Sequence, residues 1–335
     1  MILIITDEDD IHTIQVQRWL NFYSAEYFKV TEDSDIKISK FFISNVQTDI
    51  EFIISNKFYN NKILNISEIT AVWYRRGSFE IKTDIFSNPK LSANLSLRMN
   101  SYLKSELKFI NDEITRIFKS IKSINSDFDN NINKTTALQI AKFNGLDIPR
   151  TVVTSSLSEL KNYTTTGSYI TKSINSNFFT TKEYLVSGGT WDITDFDFLA
   201  LEGEKLFPSL IQEKLAKKYE LRIFYLENDF YASAIFSQSN EKTKVDFRNY
   251  DFERPNQVVP YNLPEEIKEK LIRTMKALQI NCGSIDMVVT DNNKFVFLEV
   301  NPIGQFAQVS YPCNYYLDRL IARKLIEYEK DNRRE

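Results

Sequence analysis

One histidine in a chain of 335 residues, His12, leaves no cluster of imidazoles to hold a metal. Any Ser-His-Asp arrangement would depend on that single side chain. Two cysteines, Cys282 and Cys313, can build neither a disulfide scaffold nor a zinc ribbon, and they fit a reducing, cytoplasmic setting. Glycine is scarce, with eight in the whole chain, where an average sequence has about 7%. None of the eight falls in G-x-G-x-x-G or G-x-x-x-x-G-K-[ST] spacing, so the dinucleotide fingerprint and the P-loop are both excluded. A nucleotide here has to be gripped some other way. No apolar run approaches the ~18 residues of a membrane span. The opening Met1-Ile-Leu-Ile-Ile has no basic segment before it and runs into Asp7-Glu8-Asp9-Asp10, so it reads as a buried strand and not as a signal peptide. A net charge of −3 excludes a polycation that coats nucleic acid. Neither nucleic acid nor a membrane is expected as a partner.

What is present is enough apolar side chain for a real core, at 42% of residues, against 26% charged. The first ~120 residues read as an α/β unit. Strand Met1–Thr6 leads into a helix with apolar positions at Ile11, Ile14, Trp19, Leu20 and Tyr23, and the acids ahead of it suit its positive end. Further strands are predicted at Phe52–Ile54 and Ala71–Tyr74, and a long helix at Leu91–Lys119. A polar stretch from Ser123 to Asn133 marks a boundary. The helix Lys134–Phe143 then stops at Asn144-Gly145 with Pro149 beyond. Short β-rich pieces follow, among them Ser168–Ser173, Phe178–Val186, Ser209–Lys214, Glu220–Leu226, Asp229–Ser237 and Val245–Tyr250. The helix Pro264–Gln279, a hairpin over Ser284–Val300 and a closing helix Tyr315–Tyr328 complete the chain. The expectation is α/β followed by α+β with mostly antiparallel strands.

The hairpin carries the most information. Two β-rich runs flank Asn292-Asn293, a pair suited to a two-residue turn. Such a turn sets Asp286 opposite Glu299, with Asn301 on the same sheet face. Facing carboxylates repel unless something positive lies between them. With an amide oxygen they make a hard-oxygen set suited to Mg²⁺, although a solvated polar face would read the same way. Cations that could meet phosphates are Lys134 at a helix start, Lys172 in a strand, Arg222 on one strand face with Glu220 and Phe224, and Arg248 in Val245-Asp-Phe-Arg-Asn. Taken singly, each is more often an ordinary surface charge than a phosphate ligand. Leu210-Ile-Gln-Glu-Lys-Leu215 could offer backbone groups to an adenine edge. Arg75 and Arg76, after Trp73-Tyr74 at a strand end, suit either an acidic peptide or a structural ion pair.

In that order the segments resemble the ATP-grasp superfamily. Asn133-Lys134 through Pro149-Arg-Thr resembles the opening helix of its central domain, Tyr169-Ile-Thr-Lys172 its second ATP-binding lysine, and Gln212-Glu213-Lys214-Leu215 its adenine hinge. Glu220-Leu-Arg222 resembles the ribose carboxylate and catalytic arginine, Asp246-Phe-Arg248-Asn249 the later phosphate-contacting segment, and Asp286 with Leu298-Glu299-Val-Asn301-Pro302 the metal signature. Trp73-Tyr-Arg-Arg-Gly77 and Gly304-Gln-Phe are similar to the microviridin-like, grasp-with-spasm peptide maturases that make graspetides. One departure stands out: the usual Gly-rich loop after the second lysine is replaced by Ser173–Leu185, so how the triphosphate is covered stays open.

The resemblance implies an ATP-grasp fold in three parts. These are an N-terminal domain over 1–120, a central lid subdomain over 121–210, and a C-terminal subdomain with the metal site over 211–330. It implies a Mg²⁺- and ATP-dependent ligase that forms ω-ester or ω-amide macrocycles in a ribosomally made precursor peptide. Lys134, Lys172, Glu213, Lys214, Leu215, Glu220 and Asn249 would bind ATP, while Asp286, Glu299 and Asn301 would bind the metal. Arg222 and Arg248 would stabilise the acyl-phosphate step, with Arg75 and Arg76 on the peptide. Such enzymes are often homodimers, so a homodimer is among the assemblies implied. An ATP-grasp ligase joining separate small molecules or extending a protein tail is the alternative reading, and a non-catalytic ATP-binding module is the third.

Overall fold

A computed structural model of the chain describes residues 1–82, 93–126, 132–164, 167–174, 179–180, 185–186, 189–194, 206–240, 242–244, 246–247 and 251–332. The chain forms two compact units, Met1–Asn130 with Tyr316–Glu335, and Asn131–Tyr315. Boundaries near 120 and 210 remain a finer division that the resemblance implies, and the closing helix belongs with the first unit.

In the first unit, β1 (Ile2–Ile5) is buried at all four positions, as the unbroken apolar pattern of a doubly covered parallel strand requires. The helix α1 (Ile11–Phe22) crosses to β2 (Tyr27–Val30). Asp10 caps it by accepting the Thr13 N–H at 3.0 Å, which is the service expected of the acids ahead of a helix. Strands β3 (Asp35–Ile43), β4 (Thr48–Ser55) and β5 (Lys62–Asn65) form a separate antiparallel sheet. The chain returns beside β1 in β6 (Ala71–Tyr74) and, after α2 (Ala93–Phe118), adds β7 (Ser123–Ile124), giving the parallel order β2-β1-β6-β7. The closing helix Leu317–Asn332 lies along α1, where the Trp19 indole donates to Asp318 at 2.9 Å. Leu3, Ile5, Phe28, Phe52, Leu64, Ile114 and Phe118 share one core. Among the described side chains of α2, Ile114 and Phe118 are the buried ones.

The second unit opens with α3 (Lys134–Phe143), capped by Asn133 and ended by Gly145 at φ +83°. Strand β8 (Thr151–Thr154), helix α4 (Leu157–Thr164) and strand β9 (Tyr169–Lys172) follow. Strands β10 (Phe179–Thr180) and β11 (Leu185–Val186) pair with each other, where one strand over Phe178–Val186 was expected. Next come β12 (Thr190–Asp192) and β13 (Ser209–Glu213), completing the sheet β12-β9-β13-β8. The larger sheet, β16-β15-β14-β17-β18, uses β14 (Lys217–Leu226), β15 (Asp229–Phe236), β16 (Gln257–Tyr261), β17 (Cys282–Thr290) and β18 (Phe295–Asn301). Asp246 and Phe247, the described residues of the strand expected at Val245–Tyr250, are not in a strand. Two helices, α3 and α5 (Glu265–Ala277), cover one face of this sheet. There Ala137, Leu138, Leu271 and Met275 meet Leu221, Ile223, Ile285, Met287, Phe297 and Val300. Period-two alternation turns Glu220, Arg222, Asp286 and Glu299 to the other face.

The hairpin reaches its expected pairing by a different route. Its turn has three residues, Asp291–Asn293, closed by the Asn293 N–H to the Thr290 carbonyl at 2.8 Å, with Asn293 at φ +58°. Val289 therefore faces Phe295 and Met287 faces Phe297, one residue out of the expected register. A bulge at Leu298 restores it, so Asp286 faces Glu299 after all. Two successive residues, Leu298 and Glu299, consequently line the same cavity.

Candidate active site

Three adjacent strands carry a row of charges. Arg222 on β14 faces Asp286 on β17, which faces Glu299 on β18. One guanidinium nitrogen, Nη1, donates to both Asp286 oxygens at 2.6 and 2.8 Å, and both residues are buried. Buried Nε of Arg222 has no hydrogen-bond partner among the described residues. Glu299 is met from outside the sheet, by Lys134 Nζ at 3.5 Å and Lys172 Nζ at 3.7 Å. The repulsion between opposed carboxylates is thus balanced by one guanidinium and two ammoniums, all three of them residues singled out in the sequence. Lys134 also donates to the Ser173 carbonyl at 3.0 Å.

Asp286 and Glu299 of this row, with Lys172, line a cavity of about 990 Å³, counted with its open mouth. Ile170, Leu215, Val288 and Leu298 supply its apolar lining, and Lys172, Glu220, Asp286 and Glu299 its charges. The segment Gln212–Leu215 borders it at the end of β13. Buried Gln212 donates to the Thr151 hydroxyl at 2.9 Å, while the backbone N–H groups of Glu213 and Lys214 bond to the carbonyls of Arg150 and Ser168, both at 2.9 Å. Those bonds fix the strand end, and Leu215 follows where the ladder stops.

Glu220 lies deeper. Burial pushes its carboxyl above the ordinary value, against the pull of the Lys217 ammonium at 2.8 Å and the Ser237 hydroxyl at 2.7 Å, while nearby Asp246 adds to the rise. Lys217, Ser237, Lys244 and Leu298 are site residues that sequence reasoning missed. Lys217 reaches Glu220 across a β-bulge between Lys217 and Tyr219, which residue spacing does not reveal. Arg248 and Asn249 lie outside the described residues.

The first unit places Arg75 and Arg76 at the ends of β1 and β6. Arg75 is 1% exposed and grips Asp10 through Nε at 2.9 Å and Nη2 at 3.3 Å. That ion pair is one of the two roles the sequence leaves open to it. Arg76 is partly exposed and bonds Asp7 at 3.2 Å. Burial alone would raise the Asp10 carboxyl, but hydrogen bonds from His12 and Arg75 outweigh it and hold the group far below the usual carboxylate range.

For a metal, the second unit offers Asp286 and Glu299 in register and Asn301 on the same strand. The Asn301 amide oxygen accepts the Ile303 N–H at 3.0 Å, in a turn completed by Gly304 at φ +62°. Among the described residues no group of three or more His, Cys, Asp or Glu is assembled as a metal cage. Two carboxylates with an amide oxygen do fit a hard cation that keeps most of its shell for water and phosphate.

No family model matches the chain, and no curated protein matches it. Solved structures do match. A RiPP-associated ATP-grasp ligase from Chryseobacterium gregarium, in complex with ADP and a leader and core peptide, is 22% identical over 97% of this chain and 96% of its own, with a TM-score of 0.76. The macrocyclase MdnC from Microcystis aeruginosa, bound with precursor peptide MdnA, is 24% identical over 98% and 100% of the two chains, with a TM-score of 0.70. The ATP-grasp ligase PsnB, complexed with minimal precursor, Mg and ADP, is 15% identical over 98% and 97%, at 0.65. The fold of this chain is the ATP-grasp fold, with its α/β first unit and antiparallel sheets in the second.

Proposed function

We propose that the protein is an ATP-dependent ligase that closes ω-ester or ω-amide macrocycles in a ribosomally made precursor peptide. The observation that carries this reading is the charge row Arg222–Asp286–Glu299 with Lys134 and Lys172, of which Asp286, Glu299 and Lys172 line one largely apolar cavity. The likeness in fold to ligases solved with precursor peptides supports the choice of substrate.

In this reading the nucleotide base lies between Ile170 and Leu298 and meets the backbone at Glu213–Leu215. Glu220 accepts the ribose hydroxyls once Lys217 gives way. Lys134 and Lys172 exchange Glu299 for phosphate oxygens. Mg²⁺, held by Asp286, Glu299 and Asn301, would supply charge neutralisation at the phosphates. Arg222 presents its guanidinium to the transferring phosphoryl group and then to the oxyanion of the acyl transfer. A side-chain carboxylate oxygen of the peptide attacks the terminal phosphorus and ADP leaves. A hydroxyl or amine of the same peptide then attacks the acyl carbon, loses its proton, and phosphate departs. Holding both groups in one chain supplies much of the acceleration. The finer division into 1–120, 121–210 and 211–330, and a cytoplasmic location, belong to the same proposal. No described helix is long and apolar enough to cross a membrane.

Intact mass spectrometry of a Thr/Ser- and Asp/Glu-rich precursor peptide, incubated with the protein, ATP and Mg²⁺, tests it. Loss of one water per bond, dependent on ATP, is the expected result. A gain in mass would transfer the assignment to a ligase that adds separate molecules.

A further inference from the structure

Among the described residues β8 is an edge strand, paired with β13 on one side only. The Glu213 N–H bonds the Arg150 carbonyl at 2.9 Å, and from there Val152 stands opposite Ile211 and Thr154 opposite Ser209. Alternation in an antiparallel ladder then turns the N–H and C=O of Thr151 and Val153 the other way, toward the open edge. No described backbone group pairs with them there. Unmet donors and acceptors in a row are a template for one more strand.

That edge borders a groove of about 1220 Å³, counted with its open side, which shares no lining residue with the cavity beside Asp286 and Glu299. Leu138 of α3, Leu146, Ile148 and Val153 supply its apolar lining, and Val153 is 43% exposed. Its charges are Lys142 and Arg150 against Asp147, all three exposed. Among the described residues neither cation has an ion pair within the chain. Arg150 lies over the Tyr163 ring at 5.4 Å, and the buried Tyr163 hydroxyl has no hydrogen-bond partner among the described residues. Free backbone, apolar lining and unpaired cations along one edge together match a polypeptide strand that carries acids.

We propose that the β8 edge docks an extended acidic segment of a separate polypeptide, which adds as a further antiparallel strand and sets a carboxylate opposite Arg150. Every pairing within this sheet is antiparallel already. In strand addition the main chain supplies affinity and alternate side chains supply specificity. Residues of the added strand opposite Thr151 and Val153 exchange N–H···O bonds with them and share their face of the sheet, so apolar side chains suit those positions. The residue opposite Arg150 shares the other face, where an acid makes a charge-assisted pair with the guanidinium. The segment that fits therefore alternates acidic and apolar residues. The proposal does not rest on the ligase reading, because its readout is binding at a groove apart from that cavity.

Fluorescence anisotropy on the full chain, with a labelled, end-blocked peptide of alternating Val and Glu, tests it. Saturable binding is expected, and the same peptide with Lys in place of Glu should bind at least about tenfold more weakly. N-methylation of its Val residues, whose N–H groups face β8, should weaken binding at least about tenfold. N-methylation of its Glu residues, whose N–H groups face solvent, should leave the affinity within about threefold. Arg150→Glu should reverse the preference between the two peptides. Val153→Pro removes an edge donor that lies outside the β13 ladder, so it should weaken binding about tenfold with a melting temperature close to wild type. A non-hydrolysable ATP analogue in excess should leave the peptide bound. Absence of saturable binding up to about 1 mM would overturn the proposal. So would displacement by the nucleotide analogue, binding insensitive to Arg150→Glu, or equal effects of the two N-methylations.

Discussion

Among the described residues each unit buries an arginine–aspartate pair, and the two pairs are built to opposite ends. In the first unit Asp10 is saturated: it accepts from Arg75 twice, from the Thr13 N–H at 3.0 Å and from the Thr13 hydroxyl at 2.7 Å. Every bond ties together a strand end, a helix start and a buried guanidinium. In the second unit Asp286 accepts two bonds from a single nitrogen of Arg222, whose Nε has no hydrogen-bond partner among the described residues, and it stands in register with another carboxylate. A closed pair holds a fold. A pair with a donor to spare and like charges pressed together, at the wall of a cavity, stores interactions for something that arrives later. Burial and distance are nearly equal in the two, so what separates them is how completely the hydrogen-bonding capacity is used.

The comparison can be broken by three measurements. Asp286→Asn keeps the shape and an acceptor for Arg222 while removing the charge, so ATP-dependent ligation should fall at least about a hundredfold with a melting temperature close to wild type. Arg75→Met should do the reverse. It leaves Asp10 buried without its partner, at a cost of about 3–5 kcal/mol in urea unfolding, with turnover per folded molecule unchanged. Equal stability losses from the two variants would mean the pairs are not different in kind. The smallest effect is in pH. The folded Asp10 carboxyl titrates below its ordinary value of 3.8, so its stabilisation is present in full above that value and is lost as pH falls toward the folded pKa. The stability gap between wild type and Asp10→Asn should be constant above about pH 5 and should narrow below 3.8.

Much of the second unit was legible because its elements are locally marked. The helix Lys134–Phe143 has the bounds its cap and stop signals predict. The strand face shared by Glu220 and Arg222 follows from alternation alone, whereas Asp286 joins it only through the pairing of β14 with β17. The hairpin shows the limit of such reasoning: Asp286 does face Glu299, but through a longer turn and a compensating bulge, two irregularities that residue types at Asn292-Asn293 do not distinguish from none. The sheet β3-β4-β5 was seen only at Phe52–Ile54. The mixed run of β3, Asp-Ile-Lys-Ile-Ser-Lys-Phe-Phe-Ile, breaks its alternation at a bulge between Ile38 and Lys40. Helix α4 is short, with a single buried residue, Leu160, and so carries almost no periodic signal. The Lys217–Glu220 contact depends on another bulge, and the Arg75–Asp10 pair joins residues far apart in the chain, which local spacing does not reveal.

Glu299 gives the cavity one more property. It rests between Lys134 and Lys172, so the two ammoniums already have a counter-charge of their own before any phosphate enters. A triphosphate arriving there takes part in an ion exchange, as on a charged resin whose bound counterion is built into the column. Few mobile anions from solution need to be displaced. Nucleotide binding at this wall should therefore respond to added salt more weakly than the number of cations contacting the phosphates would suggest.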